Sequence, residues 1–166
     1  MKLHLGCGKR HLEGYINIDA KHPKADLIHD RLDMLPYPDN SVEEIVAIHL
    51  FEHLWPQDVG DHVLHWYNLL HPGGKLILEL PDLYKSCLNY IRAVDDGHIT
   101  PSLQMAMWPI FGDNPDKNIY DCHKWGWTYQ TLVPVLKGAG FSFVKEAQPE
   151  WHGQRVTRDL RVEAIK

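Results

Sequence analysis

Three groups of residues in this sequence have types and spacings that can do chemistry. The first is Gly6-Cys7-Gly8 followed by Asp19. A glycine turn lets backbone approach a ligand closely, and a carboxylate one short segment later can accept both hydroxyls of a ribose. Together they describe a nucleoside site. The second is His49-Leu50-Phe51-Glu52-His53, an H-x-x-E-H pattern. Its two imidazoles can hold zinc when one helical face carries them, with the glutamate polarising a bound water. The third is Asp121-Cys122-His123-Lys124-Trp125-Gly126-Trp127, in which His123 has the intrinsic pKa of a general base and the tryptophans can wall an aromatic or sugar-like acceptor. Asp82, just past an apolar run, is a further acid–base candidate.

These groups need elements to position them. Leu3 and Leu5 begin an apolar strand, the glycines turn out of it, and Tyr15 to Ile18 form a second strand ending on Asp19. Ala25 to His29 read as a third strand closing at Asp30, and Leu35 to Ser41 is dense in turn formers. Val42 to Leu50 is a buried-strand run, with Phe51 to Trp55 as the loop beyond it. Pro56 suits the first turn of a helix in which Val59, Val63, Trp66, Tyr67 and Leu70 keep a helical period, ended by His71-Pro72-Gly73-Gly74. Lys75 to Leu80 is a fifth strand stopped by Pro81 and Asp82. Leu83 to Val94 and Thr100 to Trp108 read as helices, the second with Thr100 as N-cap and Pro101 in its first position. Pro109 to Tyr120 reads as an irregular loop, and Thr128 to Lys137 as a last helix stopped by Gly138-Ala139-Gly140. Phe141 to Ala147 and Arg158 to Lys166 close the chain as two antiparallel strands. This alternation predicts an α/β protein with a mainly parallel sheet, whose ligands bind outside the carboxyl ends of the strands where the order reverses. Residues 84–120 then form a lid or substrate wall over that crevice, within one domain spanning 1–166.

Composition narrows the function. At 166 residues, 44% hydrophobic and with a net charge of -5, the chain is an ordinary globular domain without the basic face that phosphate backbones require. Three scattered cysteines imply no disulfide framework and suit a reducing cytoplasm. No charged-then-apolar leader opens the chain, and no apolar run approaches the ~20 residues of a membrane helix. Only six residues, Lys9 to Gly14, separate the glycine turn from the second strand, too few for a full crossover helix. A pyrophosphate wants a helix N-terminus at that place, so the spacing favours a nucleoside without phosphates. The H-x-x-E-H run follows a β-branched strand and ends at Trp55-Pro56, against the continuous helix zinc would need, so no metal is expected. His22, His29, His62, His65, His71 and His98 show no ligand spacing.

Assembled in order, these residues resemble the class I S-adenosylmethionine-dependent methyltransferases, in a small branch related to the UbiE/menaquinone-type domain. The motifs that carry the resemblance are Leu3-His4-Leu5-Gly6-Cys7-Gly8, Asn17-Ile18-Asp19, Leu35 to Val42, Phe51-Glu52-His53-Leu54, Leu70 to Leu76, Leu80-Pro81-Asp82-Leu83, Trp127-Thr128 through Phe141, and Asp159 to Ala164. The resemblance implies a Rossmann-like sheet with one antiparallel C-terminal strand, helices on both faces and a shortened first crossover helix. It also implies S-adenosylmethionine as cofactor and S-adenosylhomocysteine as product. Leu5, Gly6, Cys7 and Gly8 would pass under the methionine part and sugar, and Asp19 would bond the ribose with Ala20 flanking the adenine. Asp30 and Arg31 would meet the adenine's polar edge, and His49 and Leu50 would lie beside the sulfonium. The sequence departs from the family pattern at His4, where an acidic residue is usual, and in lacking a third motif glycine.

The activity so implied is in-line methyl transfer to an oxygen or nitrogen of a small-molecule acceptor, a sugar or ring compound among the candidates, with His123, Asp82 or His49 serving the acceptor. Two alternatives come from other classes: a non-catalytic cofactor-binding or partner module, and a zinc metallohydrolase using His49, Glu52 and His53. The expected partner is the small acceptor, without nucleic acid or membrane, in the cytoplasm. The short chain and exposed lid also admit a homodimer.

Overall fold

The computed structural model describes residues 1–97, 102–113, 118–151 and 155–166. His98, Thr100 and Pro101 therefore lie outside the described residues. Seven strands form one sheet: β1 (Lys2–Leu5), β2 (Ile16–Asp19), β3 (Leu27–Ile28), β4 (Val42–Ile48), β5 (Leu70–Pro81), β6 (Phe143–Ala147) and β7 (Asp159–Ile165). Their order across the sheet is β3-β2-β1-β4-β5-β7-β6. Leu3 of β1 pairs in parallel with Ile16 of β2 on one side and with Ile45 of β4 on the other. β7 alone runs antiparallel, pairing Val162 with Leu78 of β5 and with Glu146 of β6. The order reverses between β1 and β4, which places the crevice beyond their carboxyl ends.

One face of the sheet carries the main core. Leu3, Leu5, Ile45, Ala47, Leu76, Leu78 and Val162 are buried there against two helices, α1 (Val59–Leu69) and α4 (Tyr129–Ala139). α1 presents Val59, Val63, Trp66 and Leu69, the helical spacing visible in the sequence. α4 presents Leu132 and Leu136, and it starts on a reciprocal cap between Thr128 and Thr131. Two further helices, α2 (Leu83–Asp95) and α3 (Ser102–Phe111), pack chiefly on each other. α2 is tied to the start of β7, through Lys85 Nζ to the Asp159 carbonyl at 2.8 Å and Asn89 Nδ2 to the Thr157 carbonyl at 3.0 Å.

On the opposite face a smaller cluster is covered by loops. Val46, Ile48 and Ile77 pack there under Leu12, Tyr15 and Trp151, all three from loops. The cause is the length of the crossovers: residues 6–15 and 20–26 carry turns and bends only, so the first crossover helix is absent rather than shortened. Side chains do the satisfying that a helix would otherwise do. Asn17 accepts from Leu12 N at 2.8 Å and His4 Nδ1 at 3.0 Å, and it donates to the carbonyls of Leu12 and Tyr15 at 3.2 Å. His4 is thus a buried partner of this staple. Glu79 holds the second loop through the backbone N–H of Glu150 and Trp151, at 2.9 and 3.0 Å, and pairs with Arg161 at 3.4 Å. Tyr15 donates to Glu44, which also faces Lys2 and Lys75.

Smaller differences have local causes. β4 ends at Ile48 because His49 adopts a left-handed conformation, φ 49°. Pro56 lies in a turn ahead of α1, whose N-cap is Asp58. β5 begins at Leu70, with an irregular register against β4 before regular pairing from Lys75. α3 continues through Pro109 to Phe111, so the irregular segment starts at Gly112. Among the described residues no helix is long and apolar enough to cross a membrane.

Candidate cofactor cleft and acceptor wall

A cleft of about 1100 Å³ opens at the carboxyl ends of β1, β2 and β4. Gly6 and Gly8 form its floor, Asp19, Ala20, Asp30 and Arg31 one flank, and His49 and Leu50 the other. Both glycines need their residue type, for different reasons. Gly6 has φ +64° and a Cβ there would stand 2.8 Å from Leu50 Cδ1 and 3.0 Å from Leu50 Cβ. Gly8 has φ +50° and nothing within 4 Å of its missing Cβ, so it leaves open space in the cleft.

Asp19 holds this turn together. Its Oδ2 accepts from Gly8 N at 2.8 Å, and its Oδ1 accepts from Lys21 N at 3.0 Å and His22 N at 2.9 Å. Burial opposes its ionisation, but those three N–H groups outweigh burial and leave its pKa lowered. A carboxylate offers about four acceptor positions, so Oδ2 retains room for a ligand hydroxyl. Leu5 is fully buried in the core and Cys7 nearly so, with its thiol pushed up to about 11 by burial and then by Asp19. These two can offer a ligand their backbone only. The Arg31 guanidinium is engaged by Asp33, at 2.9 and 2.7 Å. Among the described residues, seven aspartates line the cleft (Asp19, Asp30, Asp33, Asp58, Asp61, Asp113, Asp121) against four lysines and arginines (Lys9, Lys21, Arg31, Lys124). An acidic excess in a concave site attracts cations and repels phosphates.

A second cluster of ionisable groups lies behind the His49 flank. His49 Nδ1 meets Glu52 Oε1 at 3.0 Å, and its Nε2 meets Asp159 Oδ2 at 3.3 Å and Arg158 Nη2 at 3.1 Å. Burial works against protonation of His49, but the bonds to Asp159 and Glu52 outweigh it and push its pKa up to about 9. That raised pKa, with both ring nitrogens engaged, sets it apart from a free general base. Burial also opposes the charge on Glu52, and His49 overcomes it, so the Glu52 pKa is lowered. His123, drawn in from a distant segment, places Nε2 3.9 Å from Glu52 Oε1 and donates from Nδ1 to the Pro109 carbonyl at 2.9 Å. Burial lowers its pKa and keeps the ring neutral. His53 packs edge-on against His123, ring centroids 4.8 Å apart.

The structure therefore separates the sequence candidates. Gly6, Gly8, Asp19, Ala20, Asp30, Arg31, His49 and Leu50 share one cleft. Asp82 is the N-cap of α2, accepting from Lys85 N at 3.1 Å, and is not among the described residues lining the cleft. The three polar residues of H-x-x-E-H do not converge on one helical face: a single 3-10 turn spans Phe51–His53, and His49 spends both ring nitrogens on other partners. Trp127 is a core residue packed at a tilt on Phe51, ring centroids 5.3 Å apart, and Trp125 is half exposed outside the described lining. Leu54, Trp55 and Ile119 form the apolar part of the wall instead. Sequence reasoning missed Arg158 and Asp159 as partners of His49. Their one signal was an adjacent pair of opposite charges at the start of the last strand.

Comparison with known proteins agrees with this arrangement. Residues 11–78 match the family described as a methyltransferase domain. Over 66 residues the chain is 35% identical to a protein of Mycolicibacterium smegmatis named a probable S-adenosylmethionine-dependent methyltransferase. That match covers 40% of this chain and 25% of the relative, so the chain spans about a quarter of the relative's length. Among solved structures, a SAM-dependent methyltransferase of Archaeoglobus fulgidus superposes with TM-score 0.63 at 17% identity, covering 99% of this chain and 85% of the other. One from Methanosarcina mazei gives 0.64 at 19%, covering 99% and 91%. The 1,6-didemethyltoxoflavin-N1-methyltransferase of Burkholderia thailandensis, solved with 1,6-didemethyltoxoflavin and S-adenosylhomocysteine, gives 0.64 at 13%, covering 99% and 70%. At these identities the structural matches speak for the fold, and the domain match and the relative speak for a likeness over part of the chain. The chain thus has the fold of these S-adenosylmethionine-dependent methyltransferase structures, and its residues 11–78 are similar to a methyltransferase domain.

Proposed function

We propose that this chain transfers a methyl group from S-adenosylmethionine to an oxygen or nitrogen of a small-molecule acceptor. The observation that carries the reading is the cleft at the point where the sheet order reverses, floored by a glycine turn that Asp19 holds and lined by an excess of acid. When bound, S-adenosylmethionine supplies an electrophilic methyl group on a sulfonium. The residues suit such a ligand. Asp19 Oδ2 can accept a ribose hydroxyl, the open space at Gly8 admits a ligand against backbone, and the acidic lining favours a sulfonium and an ammonium over a pyrophosphate. No helix N-terminus stands at the glycine turn to receive phosphate.

The acceptor side is the wall formed by the Phe51–His53 turn and the segment from Ile119 to Lys124. Acceleration of methyl transfer rests largely on positioning and exclusion of water, and Leu54, Trp55 and Ile119 supply an apolar surface for both. His49, with both ring nitrogens engaged, orients Glu52 rather than acting as a base. His123 is the neutral imidazole behind this wall. The three free cysteines and the net negative charge suit work on a small molecule in the cytoplasm.

The test is incubation with methyl-labelled S-adenosylmethionine and pools of small hydroxy and amino compounds. Label should appear in the small-molecule fraction and be lost with Asp19→Ala. Binding of S-adenosylhomocysteine without label transfer to any pool would instead favour a non-catalytic cofactor-binding module.

A further inference from the structure

Glu52, His53 and His123 bring three candidate ligand atoms within 4.8 Å of one another. Two features set this cluster apart from a chance meeting of polar side chains. The first is how the imidazoles are held. His53 Nδ1 is 3.1 Å from the Cys122 carbonyl, and His123 Nδ1 is 2.9 Å from the Pro109 carbonyl. A carbonyl only accepts, so each Nδ1 carries the hydrogen and the neutral ring keeps its lone pair on Nε2. Metal-binding histidines are oriented in the same way, with the far N–H given to a backbone carbonyl or carboxylate. The second feature is Glu52 itself. It is 2% exposed, and its Oε2 is buried without a hydrogen-bond partner. Leaving a charged oxygen in that state is costly, and a cation among the three side chains removes the cost.

Distances and donor types point the same way. His123 Nε2 lies 3.9 Å from Glu52 Oε1, too far for a hydrogen bond. Two ligands of one zinc ion, each at about 2.1 Å, sit roughly 3.4 Å apart in a tetrahedral site, so a small contraction brings these atoms into coordination. Two imidazoles and one carboxylate form a donor set for zinc and its first-row neighbours, whereas magnesium and calcium take oxygen. Three protein ligands leave a position open, and His53 lines the cleft on its acceptor side.

We propose that Glu52, His53 and His123 form a binding site for one divalent first-row transition ion, zinc foremost, opening on the acceptor side of the cleft. The site is not the H-x-x-E-H set, because His49 is engaged by Glu52, Asp159 and Arg158 and His123 takes its place. It deepens the methyltransferase reading by giving His123 an ion rather than a proton to hold. Binding of the ion itself does not depend on that reading.

The test is titration of chelator-treated protein, without cofactor, with Co²⁺ and then Zn²⁺. One equivalent of Co²⁺ should bind with visible absorption characteristic of a nitrogen- and oxygen-ligated ion, and Zn²⁺ should displace it. Affinity should fall by roughly 100-fold in His53→Ala and His123→Ala and stay unchanged in His71→Ala, at the other end of β5. Circular dichroism reports whether each variant is folded, and His53→Gln and His123→Gln serve where an alanine variant is not. Absence of saturable Co²⁺ binding to the folded wild type overturns the proposal, as does binding that persists in both histidine variants. Calorimetry with S-adenosylhomocysteine reports separately on the methyltransferase reading.

Discussion

The two glycines of the turn should fail in different ways. In Gly6→Ala the new Cβ meets Leu50 at 2.8 Å from Cδ1 and 3.0 Å from Cβ. The first contact is with a flexible end, but the second forces the whole of Leu50 to move. A left-handed conformation at an alanine costs ~1–2 kcal/mol, and overpacking against Leu50 adds ~1–3 kcal/mol, so a stability loss of about 2–5 kcal/mol is expected. Leu50 also precedes the turn that carries Glu52 and His53, so the strain spreads into the acceptor wall. In Gly8→Ala only the conformational cost of ~1–2 kcal/mol applies, because nothing lies within 4 Å of the added methyl. That methyl instead occupies ligand space. Each ~1.4 kcal/mol of lost contact is tenfold in affinity, so S-adenosylhomocysteine should bind at least about tenfold more weakly. Urea unfolding measures the first effect and calorimetric titration the second. Equal destabilisation by the two variants, or wild-type affinity in Gly8→Ala, would refute the reasoning.

Two further outcomes follow from side chains that replace missing elements or pair in the site. Asn17→Ala removes the staple of the first crossover and leaves Leu12 N and His4 Nδ1 without their acceptor; a loss of ~2–4 kcal/mol and faster amide exchange at Leu12 are expected, and exchange unchanged from wild type would contradict it. In metal-free protein, His49 should make stability pH-dependent on the alkaline side. Its folded pKa is raised from 6.5 to about 9, so its contribution is fully present below 6.5 and is lost as pH rises through about 9. The rise corresponds to at most about 3 kcal/mol, with the Glu52 and Asp159 shifts describing the same contacts rather than adding to it. Unfolding curves between pH 6 and 10 check this, and His49→Gln should flatten them.

The sheet was legible because its strands are short apolar runs separated by turn formers, and because the α1 and α4 faces keep helical spacing. The first crossover was half legible: six residues between Gly8 and Tyr15 ruled out a full helix, but nothing local announced that Asn17, Glu79 and Arg161 would hold the loops of that face. Glu79 and Arg161 meet only through the antiparallel register of β5 and β7. That Gly6, Gly8, Asp19 and Asp30 share one cleft was readable for a similar reason in reverse. Gly6, Gly8, Asp19 and Asp30 follow directly on strand ends, so the topology alone gathers them. The acceptor side was not readable from spacing. Glu52 and His123 meet across the fold, Asp159 arrives on β7, and His49 leaves the strand through a left-handed turn that sends it away from the metal-binding geometry its motif suggested. Trp127 shows the limit of aromatic patterns, since a tryptophan beside a candidate site reads the same whether it walls a ligand or fills the core.

The central claim is that the cleft between the glycine turn, Asp19 and His49 holds S-adenosylmethionine. Calorimetric titration with S-adenosylhomocysteine, run at two temperatures so that a zero enthalpy at one is not mistaken for absence of binding, tests it most directly. One site of micromolar affinity is predicted, abolished in folded Asp19→Ala. Absence of heat with either cofactor form at both temperatures, or full binding retained in Asp19→Ala, would contradict the account.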